Sequence, residues 1–148
     1  FNHHKYKPQL KAIISFLFLI FGFYGMAQMD CILGVGGRDD ETIIKVFELT
    51  EEQQENLKNW SAELKVRNDI FKDKAAYLMK QNEESPPEVL MEVSKKYQSY
   101  IDSMANNVRM IDMRLLGTFN EKQYQRYVKL CSQLSLRPIY VNRSVDEN

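Results

Sequence analysis

Apolar residues recur along this chain with helical spacing, and no segment competes with the alternation of a strand. Leu57, Leu64, Phe71 and Leu78 return once per heptad, with Trp60, Ala75 and Met79 widening the stripe. The pattern predicts a long helix ending near Asn82. A second series, Leu90, Val93, Tyr97, Ile101, Met104, Val108, Ile111 and Leu115, steps by threes and fours and is the most regular signal in the sequence. Shorter amphipathic segments flank this pair. One runs from Asp40 to Glu48, with Ile43, Ile44 and Phe47 on one face; the other offers Tyr127, Leu130, Cys131 and Leu134 to the core and stops before Arg137-Pro138.

The ends of these helices are also written locally. In Leu49-Thr50-Glu51-Glu52-Gln53 the Thr50 hydroxyl can accept the N–H of Gln53 while the Gln53 side chain reaches back, a capping box. Phe119-Asn120-Glu121-Lys122-Gln123 repeats the arrangement with Asn120 as cap and Gln123 closing the box. Ser85-Pro86-Pro87-Glu88 reads as a third start, with Ser85 as cap and Pro86 at the first helical position, and Gly117 suits a left-handed residue after a helix. The short Asn82–Ser85 connection makes the two long helices antiparallel, each about 45 Å in length. The expected fold is all-α: an elongated, coiled-coil-like antiparallel hairpin, cradle-like in outline, with a short helix at each end. The expected organisation is a signal peptide over 1–27, a flexible N-terminal segment over 28–38, a helical domain over 39–136 and an extended tail over 137–148.

Composition changes this picture mainly at the N-terminus. Lys5, Lys7 and Lys11 precede the apolar run Ala12–Tyr24, and Gly25 and Ala27 stand at the positions small residues take before a cleavage site ahead of Gln28. The run falls short of the roughly 20 residues a membrane-spanning helix needs. A soluble mature protein in the periplasm, or secreted, is therefore expected after cleavage near Ala27/Gln28. Losing three of its 20 basic groups leaves the chain with 17 against 20 acidic ones. This mild acidity disfavours nucleic acid and anionic membrane surfaces as partners.

Both histidines of the chain, His3 and His4, lie in the leader. The mature part then has neither the base of a Ser-His-Asp or Cys-His arrangement nor the commonest zinc ligand. No carboxylate pair stands out, so no catalytic residue, cofactor or small-molecule substrate is expected. In an oxidising compartment the pair Cys31 and Cys131 favours one disulfide over two separate buried thiols. Gly34-Val35-Gly36-Gly37 lacks the preceding strand and the following Lys-Ser/Thr of a phosphate loop and reads as a flexible turn.

Leader, short helix, LTEEQ opening one long helix, a second long helix and FNEKQ opening the last one together resemble the Spy and CpxP group of small periplasmic helical proteins, known for two LTxxQ motifs. Leu49, Thr50 and Gln53 match the first motif; in the second, Gln123 matches while Phe119 and Asn120 replace Leu and Thr. The resemblance implies a cradle-shaped helical protein, often a dimer, that holds unfolding envelope proteins without ATP or partners an envelope stress sensor. This chain departs from the group in its slight acidity, its cysteine pair, its glycine-rich N-terminal segment and its Arg-Pro-Ile-Tyr tail.

Trp60, Phe71, Tyr97 and Tyr100 are the candidates for client or dimer contact, because a thin hairpin cannot bury every face of its helices. The competing reading of each is ordinary core. Met104, Met110 and Met113 could form a soft Cu(I) site, but methionine more often fills gaps in helix packing, so no metal site is expected. The charges around Lys65–Asp69 and at Lys95-Lys96 are read as a solvated face before a client-binding one. The sequence thus admits a holdase or stress-response protein, and as an alternative a structural or adaptor subunit that docks one envelope protein.

Overall fold

The structure, a computed structural model, describes residues 28–143. The expected leader over 1–27 and the end of the tail over 144–148 lie outside the described residues. Helices α1 (Asp40–Phe47), α2 (Glu51–Gln81), α3 (Pro87–Gly117) and α4 (Glu121–Gln133) follow in order. Among the described residues there is no strand, only an isolated parallel bridge between Asp30 and Arg137. The fold is all-α. The α2–α3 pair forms an antiparallel hairpin, each helix of 31 residues running about 46 Å.

Local chemistry sets the helix starts. Thr50 Oγ1 accepts the N–H of Gln53 at 3.2 Å, and Gln53 Oε1 accepts that of Thr50 at 3.0 Å. Asn120 and Gln123 exchange the same two bonds, both at 2.9 Å. Each box satisfies backbone donors that a helix start otherwise leaves without partners. The third start differs from expectation: α3 begins at Pro87, and Pro86 occupies the cap position with no side-chain bond. Pro87 fits there because a first-turn residue has no intrahelical acceptor for an N–H. Ser85 instead turns back on Asn82, its hydroxyl 3.2 Å from Oδ1. Gly117 is the last helical residue of α3, while the left-handed positions fall on Glu48 after α1 (φ 50°) and Ser135 after α4 (φ 56°).

The core lies at one end of the hairpin. There α1, the first half of α2, the last part of α3, α4 and both terminal segments converge on Ile111, Leu115, Leu116 and Cys131, none of which has any exposure. Beyond Leu64 on α2 and before Ile111 on α3, the only buried apolar residues are Ala75 and Val93. The periodic stripes are therefore continuous, but their burial is graded. Leu57 and Leu64 are buried whereas Phe71 and Leu78 are half-buried; Leu90 and Tyr97 are exposed whereas Ile111 and Leu115 are sealed. A two-helix layer covers one stripe per helix and no more. Leu134, expected in the core, is 66% exposed, because it lies just past the end of α4 and faces outward.

Candidate functional site

The two motif glutamines, 70 residues apart, meet at the base of the hairpin. Gln53 Nε2 donates to Gln123 Oε1 at 2.9 Å and Gln123 Nε2 donates to Gln53 Oε1 at 2.8 Å. The second amide hydrogen of Gln53 goes to the carbonyl of Thr118 at 2.8 Å, and that of Gln123 to the carbonyl of Phe47 at 3.1 Å. With each Oε1 also closing its own capping box, both buried side-chain amides use their full set of donors and acceptors. Leu49 and Phe119, the first residues of the two motifs, are buried beside this pair, and the Phe119 ring lies 5.0 Å from that of Phe47. The LTEEQ and FNEKQ stretches are thus one structural joint, locking the entry of α2 to the entry of α4.

A second joint ties the segment before α1 to α4 and the segment that follows it. Cys31 and Cys131 form a disulfide, with Cα atoms 5.7 Å apart. Cys31 N–H donates to the carbonyl of Arg137 at 2.8 Å, and Arg137 N–H to that of Met29 at 2.9 Å. Tyr127 completes the junction: its hydroxyl donates to the carbonyl of Cys31 at 2.7 Å and accepts the N–H of Ile139 at 2.8 Å. Asp30 binds Arg109 and Arg137 together, and the hydrogen bond from Arg137 holds its carboxyl below the usual range.

The glycine segment, read as a flexible turn, has a packed role. Leu33, Gly34 and Val35 direct their N–H groups at the carboxylate of Asp112 on α3, at 2.7, 3.0 and 3.0 Å. Gly34 makes this wrap with φ +79°, and Gly36 with φ +81°; a Cβ on Gly36 would stand 3.0 Å from a methyl of Leu64. Glycine is used there for both torsion and close approach. Asp112 has no exposure, and burial pushes its carboxyl above the usual range against the pull of the three N–H donors. The sequence reading missed this residue. Its signal was present: an acid one helical turn from both Val108 and Leu116, inside the apolar stripe.

The four aromatic contact candidates separate. Trp60 packs against the core at the base, and the rings of Phe71 and Tyr100 face each other across the hairpin, centroids 6.1 Å apart. Phe71 and Tyr100 are therefore largely spent on interhelix packing. Tyr97 remains 39% exposed. Within the two long helices the most exposed apolar side chains are others: Val66, Ile70 and Tyr77 on one face of α2, and Met91 on α3. The spacing of the first three could have shown them as a second stripe on α2, beside the heptad stripe that packs on α3.

Most charges of these runs pair with residues three or four positions away on the same helix. Lys65 and Lys72 meet Asp69, Arg67 meets Glu63, and Lys95 meets Glu92 on exposed helix faces. Such pairs contribute little to stability and leave a mixed, solvated surface. Met104 lines a different cavity from Met110 and Met113, so the structure does not gather the three thioethers. Among the described residues no group of three or more His, Cys, Asp or Glu side chains is placed to hold a metal. No family model, no curated protein and no solved structure matches the chain.

Proposed function

We propose that the chain is an ATP-independent holdase chaperone or envelope stress-response protein of the Spy and CpxP type, acting in the periplasm after loss of its leader. The observation that carries this reading is the open α2 face, where Val66, Ile70 and Tyr77 keep 64, 51 and 63% of their surface in water. Apolar side chains set among internally paired charges suit weak, reversible contact with unfolding proteins, which a compartment without ATP demands. The paired LTEEQ and FNEKQ stretches support the resemblance in architecture. The disulfide supports an oxidising compartment. Among the described residues no helix is long and apolar enough to cross a membrane. The reading requires no catalytic residue and no cofactor.

A second reading, an adaptor that docks one envelope protein, draws on the clasped base, which fixes α2 and α3 at one end and so presents the same face in one setting. Aggregation of two unrelated denatured proteins, followed by light scattering with and without the oxidised chain, separates the two. Suppression of both clients at near-stoichiometric ratio, reduced by Val66→Ser with Tyr77→Ser, is the holdase outcome. No effect on either client refutes the holdase and leaves the adaptor. A homodimer through this face is expected to appear as twice the monomer mass in solution light scattering.

A further inference from the structure

At the base, apart from the open α2 face, a cavity of about 600 Å³ lies between α3 and the C-terminal segment. Its charged lining residues are Arg109 and Arg114, and no carboxylate of the described residues lines it. Each guanidinium is anchored from one side, Arg109 Nε by Asp30 at 3.1 Å and Arg114 Nη1 by Glu63 at 2.7 Å. The other ends point to thioethers: Arg109 Nη1 is 3.2 Å from Met113 Sδ, and Arg114 Nη2 is 4.0 Å from Met110 Sδ. A thioether is a weak acceptor, whereas a carboxylate matches the guanidinium fork with charge-assisted bonds. The anchoring also lowers the conformational freedom that these long side chains would lose on binding.

The walls narrow the class of ligand. Met110, Met113, Tyr140 and Val141 give the cavity an apolar lining beside its two cations. A bare inorganic anion would leave that lining unused. A peptide carrying a carboxylate next to an apolar side chain uses both. Tyr140, 76% exposed, stands free to close over such a segment.

We infer that this cavity docks an acidic peptide segment of a protein partner, with Glu or Asp carboxylates on Arg109 and Arg114 and an apolar neighbour against Met110, Met113 and Tyr140. None of Val66, Ile70 and Tyr77 lines this cavity, and the inference does not depend on the holdase reading.

The test is fluorescence anisotropy with a labelled peptide of alternating Glu and Leu, titrated with the full oxidised chain. Saturable binding that weakens with added salt is expected. Arg109→Gln with Arg114→Gln should lower affinity by at least about tenfold, because the charge-assisted bonds to the peptide carboxylates are lost at both positions. Arg67→Gln should leave it unchanged, since Arg67 shares Glu63 with Arg114 but does not line the cavity. Tyr140→Ala is the second variant: it removes an exposed side chain without disturbing an ion pair, and a weaker complex is expected. The inference is overturned by absence of saturable binding, by equal binding of a Lys-Leu peptide, or by equal affinity in both the arginine and the tyrosine variants. Full displacement by inorganic phosphate at matched ionic strength would mean a simple anion site and also overturns it. So does binding that appears only after removal of residues 144–148, which would make the chain's own Asp146 and Glu147 the occupants.

Discussion

The base and the tip of the hairpin are built from the same two helices, yet they differ in what holds them. At the base, α2 and α3 are covered by α1, α4 and both terminal segments, and buried polar groups such as Gln53, Gln123 and Asp112 are fully bonded. At the tip, the helices have only each other. Ala75 and Val93 are buried there, Phe71 packs on Tyr100, and Asn68 accepts from Asn107 at 3.0 Å. The contrast teaches that helical periodicity places a stripe but not its burial, which depends on how many layers are available to cover it. Buried apolar and bonded polar groups are concentrated at the base, while the open α2 stripe of Val66, Ile70 and Tyr77 lies beyond it.

The contrast can be broken most directly at the clasp. Cys31 and Cys131 are separated by 100 residues, so removing their disulfide with a double alanine variant should cost about 4–5 kcal/mol, the loop-entropy figure, read as a lower denaturant midpoint. A loss confined to a few tenths would mean that the noncovalent bonds around Tyr127 and Asp112 hold the terminal segments unaided.

Next in size is the glutamine joint. Gln123→Leu should destabilise by about 3 kcal/mol, because it leaves the amide of Gln53 and the carbonyl of Phe47 without their partners in a buried site. Gln53→Leu should cost a similar amount, and the double variant distinctly less than the sum, since the two residues satisfy each other. Additive losses in urea unfolding would refute the joint as one unit.

Asp112 gives a pH signature opposite to that of the surface acids. Its folded-state carboxyl is raised by burial, so its contribution to stability is fully present below the unfolded value and is lost as pH rises through the folded one. Asp30, held low chiefly by the Arg137 hydrogen bond, contributes above its unfolded value and loses that contribution as pH falls. Relative to an Asp112→Asn reference, the wild type should therefore gain stability on moderate acidification, while relative to Asp30→Asn it should lose stability. Parallel slopes for the two pairs, measured as urea midpoints against pH, would remove the distinction between the two carboxylates.

The smallest expected effect is at the tip. Val66→Ser with Tyr77→Ser should change stability by no more than about 0.5 kcal/mol per site, as exposed substitutions do, while lowering any suppression of client aggregation. A loss as large as that at the base would mean that this face is covered by a second copy in solution.

Much of the architecture was legible in the sequence because it is fixed by neighbours. A capping box needs only residues three apart, a helical stripe only its own period, and an even cysteine count only a compartment. The misses share a cause as well. The chain pattern could not say that Phe71 and Tyr100 would be spent on each other, that Leu134 would face outward, or that Val66, Ile70 and Tyr77 would find no cover. The second proline displaced the first from the start of α3, a choice the local sequence left nearly even.

The sequence by itself determined four helices, the boxes that open two of them, the antiparallel hairpin and the cysteine pair. Only the tertiary structure decided that Gln53 and Gln123 would close on each other and that Asp112 would collect the N–H groups of Leu33, Gly34 and Val35. It also decided that Arg109 and Arg114 would line one cavity. The physical reason is range. A helix start is settled within one turn of chain, but a buried amide or carboxylate is stable only when partners distant in sequence arrive with matching donors and acceptors.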